Sequence, residues 1–354
     1  MSTNICPERL NQITSCLVGS NIYQITASAG EFQNSPLEEM TDTIRQADGR
    51  CYLRAQSLGQ KGELWMIPFT VSEQRRMRLL ETVEYITENC LGRPNLFFPF
   101  DVVGDDCLNA YLIRPIEKTA SAPVRTFLPE ASAERWKIAI SLFSRVKEMA
   151  EMGITSNGIS REQIRVIPDS WEAAVWFNET VSLAAGSEQP YQISRHEGFL
   201  SIPVLTEKKC AELDEIINGR MRDVYSAAIV AFYLIMYTHP FIGSSYYSLL
   251  RDDYLARYLY YPEYIMDPGS ENTPGNQVLS AVVNHQWTKT VPELRKMFDS
   301  IFMAVCDPAH RWDPRASYWD PELWIRALRL DAEANDNPSS RTDFNFADER
   351  YHQV

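Results

Sequence analysis

The stretch from Gly153 to Val166 reads "GITSNGISREQIRV". It follows a long amphipathic run, "AERWKIAISLFSRVKEMAEM", and leads into apolar residues at Ile164 and Val166. Turns held between rigid elements are where catalytic side chains are commonly aimed. The polar residues here are Thr155, Ser156, Asn157, Ser160, Arg161, Glu162, Gln163 and Arg165. A hydroxyl nucleophile needs an adjacent base, and neither Asp nor His is present to supply one. Metal chemistry fares no better. Cys6, Cys16, Cys51, Cys90, Cys107, Cys210 and Cys306 form no C-x-x-C pair, and the five His are dispersed. That spacing argues against a zinc site. Scattered thiols in odd number fit a reducing compartment better than a disulfide framework.

The elements that must position this turn fall into two halves. Residues 20–115 carry the short apolar runs "CYLRAQSL", "ELWMIPFT", "LFFPFDVV" and "NAYLIRPI", separated by Gly, Asp, Asn and Gln turns. These read as strands. Between the second and third, Thr70 and Glu73 make a capping box, and Met77, Leu79, Leu80, Val83 and Ile86 recur at helical spacing. One helix is therefore expected near 71–89. Beyond residue 117 the connector "EKTASAPVRTFLPEASAE" gives way to helical patterns over 133–151, 222–237, around 245–260 and 291–305. Residues 331–354 are polar and read as a loosely attached tail.

Composition bounds the function class. The chain has 354 residues, 45% hydrophobic and 11% aromatic, with a formal net charge of -13. Such an acidic balance argues against binding a nucleic-acid backbone. The most apolar run, "AAIVAFYLIMY" at 227–237, is too short to span a bilayer, and "MSTNICPERLNQ" lacks the features of a secretory signal. A cytoplasmic protein is expected, with neither nucleic acid nor membrane as partner.

Several motifs then occur in one order. "WMIPFTVSEQ" is a strand before a capped helix, and "RPNLFFPFDVV" and "AYLIRPIE" are two further strands. The turn at 153–166 is followed by "AAVWFNETVSL". "DVYS" opens an apolar helix that ends in "HPFIG", and "PEYIMDPGSENTPGNQ", "TVPELRKMF", "DPAHR" and "LWIRAL" close the series. This series resembles the protein kinase fold, most of all a bacterial group of serine/threonine-kinase-like proteins, over about residues 60–330. The resemblance implies an α+β, two-lobed protein kinase-like fold. Residues 1–116 would form a small β-rich lobe with one helix, its first 20 residues poorly defined. Residues 117–330 would form a larger, mainly helical lobe, and 331–354 the tail.

Carried over residue by residue, the resemblance implies a site without its reactive groups. Pro68 falls where the family has its phosphate-gripping Lys. Ser156, Gly158 and Gln163 fall at the His, Asp and Asn of the catalytic loop, and Phe177 or Asn178 at the metal-binding Asp. Glu81 or Glu84 would be the helix partner of the missing Lys. Asp223 matches a structural Asp that accepts amide bonds from the catalytic loop. Pro203 remains from a structural element in which Val204 replaces the Glu that pairs with an Arg, here Arg311. Trp324 matches a buried Trp. Glu162 and Glu179 are the residual carboxylates that could ligate a metal; solvated loop charge is the plainer account of both.

These losses point to a pseudokinase that regulates or scaffolds a partner protein, with a kinase or phosphatase implied by the resemblance. No resident cofactor or metal is expected, and weak ATP or magnesium binding stays open. The alternative is a divergent nucleotide-using transferase on the same fold. For a partner surface, the aromatic residues Tyr246, Tyr247, Trp312 and Trp319 stand out, with core packing the competing account.

Overall fold

The computed structural model describes residues 15–18, 21–25, 53–57, 64–69, 73–90, 93–99, 101–104, 109–113, 122–123, 132–159, 163–167, 169–177, 181–183, 219–249, 253–306, 313 and 315–335. Strands dominate the first part. β1 (Ser15–Val18), β2 (Asn21–Ile25), β3 (Leu53–Ser57), β4 (Leu64–Phe69), β6 (Asp101–Gly104) and β7 (Asn109–Ile113) form one sheet in the order β1-β2-β3-β4-β7-β6. Every pairing in it is antiparallel. Its outer strands β1 and β6 approach one another, so the sheet curls. The four apolar runs of the sequence all supply strands; β2 falls within the region 20–115 read as strand-rich, and β1 precedes it.

Helix α1 (Glu73–Asn89) interrupts the sheet between β4 and β6. Leu79, Val83 and Ile86 bury its inner face, while Met77, Glu81 and Glu84 point to solvent. β5 (Leu96–Phe97) follows and leaves the first sheet: it pairs in parallel with β11 (Glu172–Trp176). β10 (Ile164–Ile167) lies antiparallel to β11 and to the short β8 (Ala122–Pro123). β9 (Ile154–Thr155) and β12 (Ser182–Leu183) form a separate two-stranded ladder.

Six helices follow among the described residues: α2 (Ser132–Glu151), α3 (Gly219–Met236), α4 (Asp253–Tyr260), α5 (Gln277–Lys289), α6 (Pro292–Cys306) and α7 (Pro321–Asn335). The chain is thus mixed α+β, mainly helical after residue 131. α3 is apolar beyond its first turns and buried almost throughout, as a central helix must be; α2, α5 and α6 pack on it. Helix starts follow local chemistry. Asn276 caps α5 by accepting from Leu279 N at 3.0 Å. Pro292 and Pro321 occupy first helical positions, where no N–H is needed.

The aromatic core centres on Phe232, whose ring meets those of Tyr264, Phe298 and Phe302. Trp324 stacks on Phe143 at 4.9 Å, joining α7 to α2. Two expectations change. The stretch around 245–260 is a short 3-10 turn, Ser244–Tyr246, followed by the separate helix α4. The last helix also runs past 331 to Asn335, and Asp331, assigned to a tail, is fully buried. No described helix is long and apolar enough to cross a membrane.

Candidate functional site

The turn after α2 is shaped by three left-handed residues: Gly153 (φ 70°), Asn157 (φ 59°) and Gly158 (φ 104°). Asn tolerates that region, and the φ of Gly158 is one that residues with a Cβ rarely adopt. The turn can bend this tightly because Asp223, in the first turns of α3, collects its donors. Its Oδ2 accepts from Thr155 Oγ1 at 2.8 Å and Ser156 N at 3.0 Å, and its Oδ1 from Gly158 N at 2.8 Å. Burial pushes the Asp223 carboxyl up to about 7, against the opposing pull of the Gly158, Thr155 and Ser156 donors and of the Arg222 charge.

The remaining polar groups of the turn face one another. Gln163 Nε2 donates to Ser156 Oγ at 2.9 Å, and both residues are buried. Asn157 N donates to Thr155 Oγ1 at 3.0 Å, and Asn157 Nδ2 to Ser182 Oγ at 2.8 Å, tying the turn to β12. α3 begins at Gly219, directly against this turn. A Cβ there would collide with Asn157 Oδ1 and Thr155 Oγ1, so only glycine lets the helix start so close.

At the end of β11, Phe177 is fully buried and stacks on Phe98 at 4.4 Å with 19° between the rings. Its N–H donates to Phe97 O at 3.0 Å. Pro68 lies in β4 opposite Ala110. The structure therefore brings Ser156, Gly158, Gln163 and Asp223 together and sets Phe177 close by in chain and sheet, one residue beyond β11, the neighbour of β10. Glu162, Asn178, Glu179, Pro203, Arg311 and Trp312 lie outside the described residues. Among the described residues no three His, Cys, Asp or Glu side chains group as a metal site. In chemical terms the turn offers hydroxyls and amides already bonded to each other, and one carboxylate committed to backbone N–H groups.

Trp324 is fully buried, its Nε1 donating to Tyr318 O at 2.8 Å. Two of the aromatic residues put forward as a partner surface are instead core. Tyr246 is 1% exposed and packs edge-on against Tyr254; Trp319 is 5% exposed, with its Nε1 donating to Asp313 O. Each is the last residue of a short 3-10 turn, Ser244–Tyr246 and Ser317–Trp319. Tyr247, one residue on, is 59% exposed.

Sequence reasoning missed Thr155, Ser182, Gly219 and Phe98. Thr155 and Ser182 carry no pattern that separates them from ordinary loop residues. Gly219, four residues before Asp223, is the one signal available, a glycine opening a helix that is apolar beyond Ser226. No protein-family model matches the chain, and no curated protein matches it.

Proposed function

We propose that this chain is a pseudokinase: a two-lobed protein kinase-like fold that has lost phosphotransfer and works as a scaffold or allosteric regulator of a partner protein. Support for the fold comes from a six-stranded antiparallel sheet of order β1-β2-β3-β4-β7-β6 with α1 inserted after β4, and from the hairpin β10–β11 beside the braced turn. The observation that carries the reading is the turn itself. Asp223 still braces it through Ser156 and Gly158, while the position that should hold the proton acceptor is glycine at φ 104°. The metal-Asp position, taken as Phe177, is filled by a ring stacked on Phe98. The scaffold is kept and the chemistry is not. In the small lobe, Pro68 cannot replace a phosphate-binding Lys, having neither charge nor N–H. The partner proposed is another protein, a kinase or phosphatase being the class that the resemblance suggests, met in the cytoplasm.

The test is thermal unfolding with millimolar ATP, with and without magnesium or manganese. A ligand at a hundred times its dissociation constant stabilises by about 2.7 kcal/mol. The expected result is no metal-dependent rise in Tm and no phosphate transfer to a generic protein substrate. A clear metal-dependent rise would replace this reading with that of a divergent nucleotide-using transferase.

A further inference from the structure

Of the large apolar side chains exposed among the described residues, Tyr247, Tyr260, Tyr261 and Val278 fall within one segment; Met77, Met303 and Leu330 stand on three separate helices. Single exposed apolar residues are ordinary, whereas a concentration of them calls for a cause. This segment is also rigidly built. Tyr246 is buried beneath it against Tyr254. The hydroxyl of Tyr247 accepts from Asn276 N at 2.9 Å, which fixes the ring beside the first turn of α5, where Val278 is 68% exposed. Asn272 holds the intervening loops, accepting from Ser245 N and Oγ and donating to the carbonyls of Phe241 and Glu263.

The segment that carries these rings is net acidic. Residues 244–278 contain two Arg and no Lys against the five acids Asp252, Asp253, Glu263, Asp267 and Glu271. One of those arginines, Arg257, is engaged at home: it pairs with Glu263 at 2.8 Å and lies over the Tyr261 ring at 5.8 Å. Tyr261 thus already serves as a platform for a guanidinium, and it remains 67% exposed. A planar guanidinium stacks on tyrosine faces and pairs with carboxylates at once, which a lysine ammonium does less well.

We propose that this face, Tyr247, Tyr260, Tyr261 and Val278 with the acids around them, docks a partner segment in which arginine alternates with apolar side chains. The proposal rests on the reading of the chain as an interaction protein and names the partner chemistry for it. Arginine would lie on the free ring faces against Asp253 and Glu271, and an apolar side chain would cover Val278.

Fluorescence anisotropy with three labelled nonapeptides, alternating Arg-Leu, Lys-Leu and Glu-Leu, tests it on the full chain. The Arg peptide should bind about fivefold more tightly than the Lys peptide, and the Glu peptide should not bind. The double substitution Tyr247→Ala/Tyr261→Ala should weaken the Arg peptide about tenfold and abolish its advantage over Lys. Tyr261→Phe, which keeps the ring, should retain the advantage. Equal binding of the Arg and Lys peptides, or unchanged binding in the double variant, overturns the proposal. So does a dimer in sedimentation that the same double variant dissolves, which would assign the face to a second copy. The nucleotide experiment reads the pseudokinase assignment separately, so the failure of one is distinguishable from the failure of the other.

Discussion

Asp223 is buried with its oxygens committed to three donors, and the Thr155 and Ser156 donors are buried with it. Asp223→Ala strands them, and an unsatisfied buried donor typically costs about 1–3 kcal/mol. Chemical denaturation should show a loss of that order. Its pH dependence has a definite sign. Burial raises the folded-state carboxyl to about 7, while an unfolded Asp titrates near 3.9. Between those values the folded chain holds a proton that the unfolded chain has shed. The carboxyl's contribution is therefore full below about pH 4 and is lost as pH rises through about 7. Relative to Asp223→Asn, the wild type should lose stability across that window and level off above it; a constant difference from pH 5 to 8 would contradict the assignment. Gly158 gives the complementary case. Placing Asp there forces a Cβ residue to φ 104°, a strain of about 1–3 kcal/mol, so Gly158→Asp should lower Tm without producing phosphotransfer. Asp223 was legible through the resemblance, on the motif "DVYS" that opens the helix. Thr155 and Gly219 were not, because their roles depend on how closely a helix start approaches a turn, which no spacing rule encodes.

At the scale of elements, the closing helix was the least legible. "LWIRALRLDAEAN" turns polar toward its end, and polarity near a C-terminus reads as a tail. Yet Asp331 accepts from Trp136 Nε1 at 2.8 Å and from Val291 N at 2.7 Å, so one buried carboxylate joins α7, α2 and the residue before α6. Periodicity finds a stripe that faces a core; it does not find a polar residue whose partners lie 195 and 40 positions away in sequence. The strands and α1 were legible for the opposite reason, since alternation and capping are local. Asp331→Ala should cost about 1–3 kcal/mol by leaving the Trp136 and Val291 donors unpaired. Trp136→Phe in the Asp331→Ala background should add less than Trp136→Phe does alone, because the shared bond is already gone. Urea midpoints of the four proteins give the cycle, and strict additivity would mean that the three elements are held by something else.

At the scale of the whole molecule, the described residues tie α1 and the segment after it to the strands and helices that follow. The inner face of α1 belongs to the same core cluster as α2 and α3. The segment after α1 is bonded to β11 through Asn95 O to Val175 N at 2.9 Å and Phe97 O to Phe177 N at 3.0 Å. Tyr85 Oη donates to Met152 O at 3.0 Å, at the end of α2. The Phe98–Phe177 stack closes this seam. α1 should therefore open together with β11, while α7, fixed through Trp324 and Asp331, should open independently of both. Phe177→Ala removes a fully buried ring, a change that commonly costs about 3–5 kcal/mol. Part of that loss appears as a uniform increase in exchange wherever amides exchange through global unfolding. Beyond it, native-state hydrogen exchange should accelerate further in α1, in residues 95–98 and in β11, and not in α7. An extra acceleration in α7 equal to that in α1 would mean that the molecule opens as one unit and that the seam has no mechanical identity of its own.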